Sequence, residues 1–313
     1  MEHADKRIIF IGGKGGVGKS TTAAAIAWGL SKRKFRTLLV STDPAHNTGD
    51  IFDRKIGGSI KHLSSHLAAI EIDPDKEANA YIQGVKSNIK GMVHVGMLEE
   101  VNRQLDTAKS SPGAEEAALF EKLISIILEE RANFDKIVFD TAPTGHTIRL
   151  LSLPELMGIW IDGLLQKRQK TNETYSRLLH DGEPVEDPIY EVLKTRQERF
   201  HQAREILLDN KRTEFIFVLN AEKLPILETK KAIELLEKYH LFVNTLIVNK
   251  LLPNEVEGSF YERRRNHERQ YVTTIKKTFR DQQLMFVPLF PEDITNQEQL
   301  EQFSTYVERG END

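Results

Sequence analysis

The sequence predicts an α/β fold: a largely parallel sheet sandwiched by helices, plus an inserted helical subdomain. Three observations predict it. Short, continuous apolar runs recur along the chain with helical patterns between them, and a glycine-rich turn joins the first run directly to an apolar-periodic helix. Two stretches, about 76–130 and 150–212, carry helical signals with few strand signals. Apolar runs of strand length suit strands buried on both faces, which is how helix-covered parallel sheets are built.

Residues 7–11 read as the first strand, residues 20–31 as the helix after the glycine turn, and residues 36–41 as the second strand. Further strands are expected at 68–72, 134–139, 215–220, 245–249 and 284–288, giving a sheet of about seven or eight strands. Leu119, Phe120, Leu123, Ile124, Ile127 and Leu128 make a helical pattern before Phe134, and Ile233, Leu235 and Leu236 make another before Leu246. Pro112-Gly113 and Gly182-Glu183-Pro184 read as loops within the two helical stretches, which are expected to form a subdomain on the ligand side of the sheet. No internal repeat is visible, so the 313 residues are expected to form one domain (1–313) with its insert. A second site acting with the first would have to come from another chain.

The formal net charge is −4, with both signs interspersed, which favours a soluble protein and gives no reason to expect nucleic-acid binding. Cysteine is absent, so disulfides, cysteine metal sites and thiol nucleophiles are excluded. Residues 1–7 are polar and lead straight into a strand-like run, unlike a signal peptide, and no segment approaches the ~20 apolar residues of a membrane span. The expected location is cytoplasmic, with membrane contact peripheral or through a partner.

The strongest motif is Gly12-Gly13-Lys14-Gly15-Gly16-Val17-Gly18-Lys19-Ser20-Thr21, which contains G-x-x-x-x-G-K-S from Gly13 to Ser20 between a strand and a helix. That is the context of a P-loop NTPase. The glycines let backbone N–H groups approach phosphate oxygens, and the helix N-terminus favours negative charge. Lys19 is expected to neutralise the β- and γ-phosphates and Ser20 to ligate magnesium. A second lysine, Lys14, either points into solvent or reaches a phosphate on a facing protomer, as an arginine finger does.

Asp43 follows the second strand in Ser41-Thr42-Asp43-Pro44-Ala45-His46-Asn47. A carboxylate there can orient the attacking water or contact the magnesium shell, and Pro44 helps to hold it extended; helix capping is the alternative. Asp140 ends another apolar run in the manner of a Walker B strand, supporting magnesium through water. The following Thr144 and Gly145 suit a segment that senses the γ-phosphate, and His146 belongs either to that switch or to the ordinary surface. Asn249-Lys250 could contact the purine, and Leu252, where a guanine reader would need a carboxylate, favours adenine. Pro288 and Phe290 could wall the ring.

Together these motifs resemble those of the arsenical-pump-driving and tail-anchored-protein targeting ATPases, a family of the deviant Walker A class. The resemblance rests on Gly12–Thr21, Asp43–Asn47, Asp140–Thr147, Asn249–Leu252 and the Pro288–Phe303 region, and spans nearly the whole chain. It implies an ATP- and Mg²⁺-dependent homodimer that closes on ATP and opens after hydrolysis, with Lys14 crossing the interface, Asp43 promoting water attack, and Asn249 at adenine. Partition and positioning ATPases share the phosphate loop but not the longer motifs.

Two departures matter. The targeting enzymes hold zinc through paired cysteines ahead of an arginine pair; matching Arg264-Arg265 puts Gly258 and Tyr261 in their place, so no zinc is expected. The pump enzymes bind trivalent arsenic through cysteines that this chain lacks, though a role as an arsenite or anion efflux pump-driving subunit stays as an alternative. The single-copy length favours the targeting branch, which implies an apolar transmembrane-helix client or a membrane receptor. Met92, Val93, Val95, Met97 and Leu98 in one insert, and Leu156, Met157, Ile159, Trp160, Ile161, Leu164 and Leu165 in the other, form either a client groove or a subdomain core, with Asp162 interrupting the second run.

Overall fold

The computed structural model describes residues 5–43, 47–89, 103, 114–141, 161–163, 165–166, 169–170, 187–255 and 257–308. In chain order its principal elements are β1 (Ile8–Gly13), α1 (Lys19–Lys32), β2 (Thr37–Ser41), α2 (Asn47–Ile51), β3 (Lys61–His62), β4 (Leu67–Glu71), α3 (Pro74–Ile89), α4 (Ala114–Glu129) and β5 (Lys136–Asp140). There follow α5 (Pro188–Leu208), β6 (Thr213–Asn220), α6 (Lys223–Glu237), β7 (Val243–Leu251), α7 (Ser259–Thr278), β8 (Gln283–Pro288) and α8 (Gln297–Glu308).

The eight strands form one sheet in the order β3-β4-β2-β5-β1-β6-β7-β8. Every pair is parallel except β3 with β4, a two-residue antiparallel edge that the sequence reading did not anticipate. Residues 61–62 are exposed lysine and histidine, so no apolar run announces them. From β1 the chain crosses to β2 on one side and later to β6 on the other. That makes the carboxyl end of β1 a switch point, where open α/β sheets bind ligands.

The strands are buried on both faces because alternate residues serve two layers. Ile9, Ile11, Leu39, Val138, Ile216, Val218 and Ile247 pack in one cluster with Ala23, Ala24, Ala27, Leu300 and Phe303 of α1 and α8. Alanine favours helix and takes little room, so α1 can lie close against the strands. On the opposite face Phe10 is stacked between Phe139 and Phe215, with ring centroids 4.6 and 5.2 Å away. Helix α1 ends in a Schellman arrangement, Phe35 N–H to Leu30 O and Lys34 N–H to Ser31 O, with Lys34 in the left-handed region at φ 67°.

The chain divides into two compact units. One holds the whole sheet and comprises Met1–Asp73, Glu129–Arg149 and Leu207–Asp313; the other comprises Pro74–Leu128 and Leu150–Ile206. Within the second unit Phe120 packs on Phe200 at 5.4 Å, Arg196 donates to the Tyr81 hydroxyl at 2.9 Å, and Lys122 pairs with Glu77 at 3.4 Å. Ile161 and Leu165 are buried, while exposed Asp162 accepts a hydrogen bond from Gln197. The other residues of the two apolar runs, Met92 to Leu98 and Leu156 to Trp160 with Leu164, lie outside the described residues. No described helix is long and apolar enough to cross a membrane.

The aromatic stack makes Phe10 the residue whose loss the sheet should feel most. Phe10→Ala is expected to lower the unfolding free energy by about 3–5 kcal/mol, measured by urea denaturation. A loss below about 1 kcal/mol would mean that the stack is not a main element of the core.

Candidate functional site

The site begins where β1 ends. Gly13 has φ +142°, and a Cβ there would fall 2.3 Å from the Val218 carbonyl oxygen, so only glycine permits β1 to lie against β6 at its exit. The chain then loops to Gly18, the N-cap of α1, at φ 98°. No acidic residue stands in the first turn of α1, so its amides and the positive end of its dipole remain available to an anion. Lys19, first in the helix, is buried and donates from Nζ to the Lys14 carbonyl oxygen at 3.1 Å.

The carboxylates come from neighbouring strand ends. Asp140 closes β5, in register with Ile11 of β1 and Ser41 of β2. The backbone N–H of Thr42 donates to the Asp140 carbonyl at 2.9 Å, and the Thr141 hydroxyl donates to the Ile11 carbonyl at 2.7 Å. These ties fix Asp140 beside the phosphate loop and draw Asp43, one residue past Thr42, to the same place.

Asp140 is 1 % exposed, and neither of its carboxylate oxygens has a hydrogen-bond partner. Burial pushes its pKa up to about 6. The Ser20 hydroxyl and the Lys19 ammonium oppose that rise, Asp43 adds to it, and Ser41 weakly opposes it. The two hydroxyls favour the charged form without completing a hydrogen bond of ordinary geometry. Lys19 responds in the opposite sense: burial lowers its pKa, while Asp140 and then Asp43 raise it. One buried cation thus lies in the field of two carboxylates, with a serine hydroxyl near the deeper one.

A cavity of about 810 Å³ opens over this cluster. Its walls include Gly15, Gly16, Gly18, Lys19, Ser20, Thr21, Asp43, Asn249, Pro288 and Phe290, so ten of the residues singled out from the sequence come together. Phe290 is held by Phe303 and Tyr306, with ring centroids 5.6 and 6.0 Å away. Lys250, Leu289, the 291–295 segment and Phe303 also line it, as do Asp50 and Ile51, which had no motif to reveal them.

The remaining predicted residues stand elsewhere. Val17 points into the core, Gly13 belongs to the strand, and Asp140 lies in the buried floor. Lys14 pairs within its own chain, its Nζ 3.0 Å from Glu228 Oε1 on α6. The Asn249 carboxamide donates to the Val17 carbonyl at 2.8 Å and accepts from the Lys250 N–H at 2.9 Å. Glu228 is the contact that the sequence did not reveal; Lys250, singled out with Asn249 for the purine, donates from Nζ to the Gly16 carbonyl at 3.0 Å. Pro44, Ala45 and His46, and Thr144, Gly145, His146 and Thr147 of the second acidic motif, lie outside the described residues.

Comparison with known proteins gives the family. The family model described as "Anion-transporting ATPase" matches residues 6–309. A protein of Aquifex aeolicus named "Putative arsenical pump-driving ATPase 2" is 34% identical over 97% of this chain and 100% of its own length. "ATPase GET3" of Pyricularia oryzae is 31% identical over 97% of this chain and 91% of its own, and "ATPase ASNA1 homolog 2" of Paramecium tetraurelia is 30% identical over 97% and 94%.

The buried carboxylate has a measurable consequence for the nucleotide-free protein. Because burial raises the pKa of Asp140 from an ordinary value near 3.8 to about 6, the stability carried by its neutral form is full below pH 4 and is lost as pH rises through 6. The deficit at pH 8 is about 3 kcal/mol. Asp140→Asn, which cannot ionise, should therefore melt above the parent at pH 8 in chelator, with the advantage shrinking towards pH 4. Equal melting temperatures at both ends would show that Asp140 is not desolvated as described.

Proposed function

This chain belongs to the anion-transporting ATPase family, and we propose that it uses ATP hydrolysis, with magnesium, to close and open a homodimer coupled to an apolar membrane-protein client or a membrane partner. The observation that carries the chemical part is the buried Asp140 carboxylate, both oxygens unbonded, beside Lys19 and Ser20 at the N-terminus of α1.

That donor set fits a hard, oxygen-loving cation: Ser20 would ligate magnesium directly, and Asp43 and Asp140 would hold it through water. Bound there, the ion neutralises charge on the phosphate oxygens. The chain's own groups do the rest. Lys19 and the amides of the loop and first helical turn collect the β- and γ-phosphates. Asp43, half-buried in the wall of the cavity, orients the attacking water. Pro288 and Phe290 flank the base.

Lys14 supplies the link to dimerisation. Its partner Glu228 lies on the outward face of α6, and helical spacing places Leu224 and Leu227, 61% and 45% exposed, on that same face. An exposed leucine stripe next to a phosphate-loop lysine supports a surface that a second copy covers on closure. Lys14 and Glu228 have side chains 38% and 43% exposed, so their pair contributes only about 0–1 kcal/mol and opens readily. Once released, Lys14 would reach the phosphates of the facing protomer and stabilise transition-state charge.

Complementation tests the trans lysine. Lys14→Ala and Asp43→Asn should each lose nearly all turnover while still binding ATP. Mixed in equal amounts they should recover about a quarter of the parent rate, because half the dimers then contain one intact composite site. Without recovery in dimers shown to exchange subunits, Lys14 does not act across the interface.

The client rests on the family resemblance, and a separate measurement decides it. A fluorescent transmembrane-helix peptide should bind at least tenfold more tightly with magnesium and a nonhydrolysable ATP analogue than with ADP. Equal binding, or none, in verified dimers would transfer the proposal to a pump-driving role. The ATPase chemistry would stay as described.

A further inference from the structure

Residues Asn249 and Lys250, at the end of β7 and in the wall of the cavity, hold the phosphate loop. The Asn249 carboxamide donates to the Val17 carbonyl at 2.8 Å, and the Lys250 ammonium donates to the neighbouring Gly16 carbonyl at 3.0 Å. The two anchors are themselves joined, since the Lys250 backbone N–H donates to Asn249 Oδ1 at 2.9 Å. Lys250 adopts φ +60°, in the left-handed region that a lysine enters only when its surroundings hold it there. Gly18 completes the fit: a Cβ at that position would fall 2.4 Å from Asn249 Nδ2.

The geometry of the peptide unit gives these contacts a consequence. In a trans peptide the carbonyl of one residue and the N–H of the next point in opposite directions. Drawing the Gly16 and Val17 carbonyls towards the end of β7 therefore turns the N–H groups of Val17 and Gly18 away from it. Two successive loop donors are thereby set before any anion arrives. A charged donor on the Gly16 carbonyl also polarises that peptide, strengthening the Val17 N–H as a donor.

We propose that Asn249 and Lys250, which both line the cavity, form a bracket that pre-organises the phosphate loop, with Lys250 a positioning residue that acts through the loop backbone. The inference rests on the loop being the phosphate site and is independent of dimer closure and of the client. It separates from base recognition, the role suggested for Asn249 by resemblance, because a bracket serves any polyphosphate whatever base it carries.

The test is equilibrium binding of ATP, GTP and inorganic tripolyphosphate, each with magnesium, to the parent, Lys250→Ala, Lys250→Arg and Asn249→Ala. The bracket predicts that Lys250→Ala weakens all three by a common factor of about ten, and that Lys250→Arg restores most of the loss. Amide hydrogen exchange of the nucleotide-free Lys250→Ala protein should be faster at Val17 and Gly18, with the parent melting temperature retained. Unchanged tripolyphosphate binding in Lys250→Ala overturns the proposal, as does a loss confined to ATP, which would assign the pair to the base. Normal binding with impaired turnover in Lys250→Ala also counts against the bracket and leaves the dimeric switch untouched.

Discussion

Everything at this site depends on a carboxylate placed where water does not reach it. Asp140 stands at the end of a strand with an apolar interior beneath it, and its oxygens complete no hydrogen bond of ordinary geometry, with the Ser20 and Ser41 hydroxyls near them. Burying an unpaired carboxylate is unfavourable unless charge or hydrogen bonds answer it. The answer here is incomplete: one buried ammonium, Lys19, shared with a second carboxylate, Asp43. Such an arrangement destabilises the empty fold and, in the proposed function, would be relieved by a ligand that brings its own cation and its own anion. The phosphate loop, the strand order and the ties between β1, β2 and β5 keep that imbalance in place.

The parallel sheet is the reason this can be done with so few residues. In β1, β2, β5 and β7 the carboxyl ends face the same way, so the loop, Asp43, Asp140 and Asn249 converge although they are far apart in sequence. The stacked rings of Phe139, Phe10 and Phe215 lock the three strands on which the loop and Asp140 depend. Packing energy in the core is thus converted into fixed position at the edge, which a cavity with polar walls could not supply for itself.

Local chemistry explains what was legible in the sequence. The phosphate loop announces itself because glycines, lysine and serine must occur at set spacing within one turn, and the strands because burial on both faces leaves continuous apolar runs. The family followed from the same short segments. Edge strand β3 was invisible because its two residues are exposed and pair only through the backbone. Glu228 escaped for another reason. It meets the loop over more than two hundred residues of separation, through a single side-chain contact, and a lone glutamate on a polar surface carries no pattern.

In the proposed cycle, the contacts of Asn249 and of Lys14 divide the loop into a part that stays and a part that moves. Asn249 is buried and grips the Val17 carbonyl, so releasing the loop there would strand polar groups away from water. The Lys14 and Glu228 side chains are both substantially exposed, and water replaces either partner at little cost. A switch needs that asymmetry. If the phosphate-binding backbone moved with the lysine, nucleotide affinity would change at every closure. If the lysine were held as firmly as the backbone, closure would have to break a buried charged contact. Anchoring the amides from β7 while parking the lysine on the surface of α6 would, in the proposed cycle, let one loop bind phosphate throughout while Lys14 changes partners.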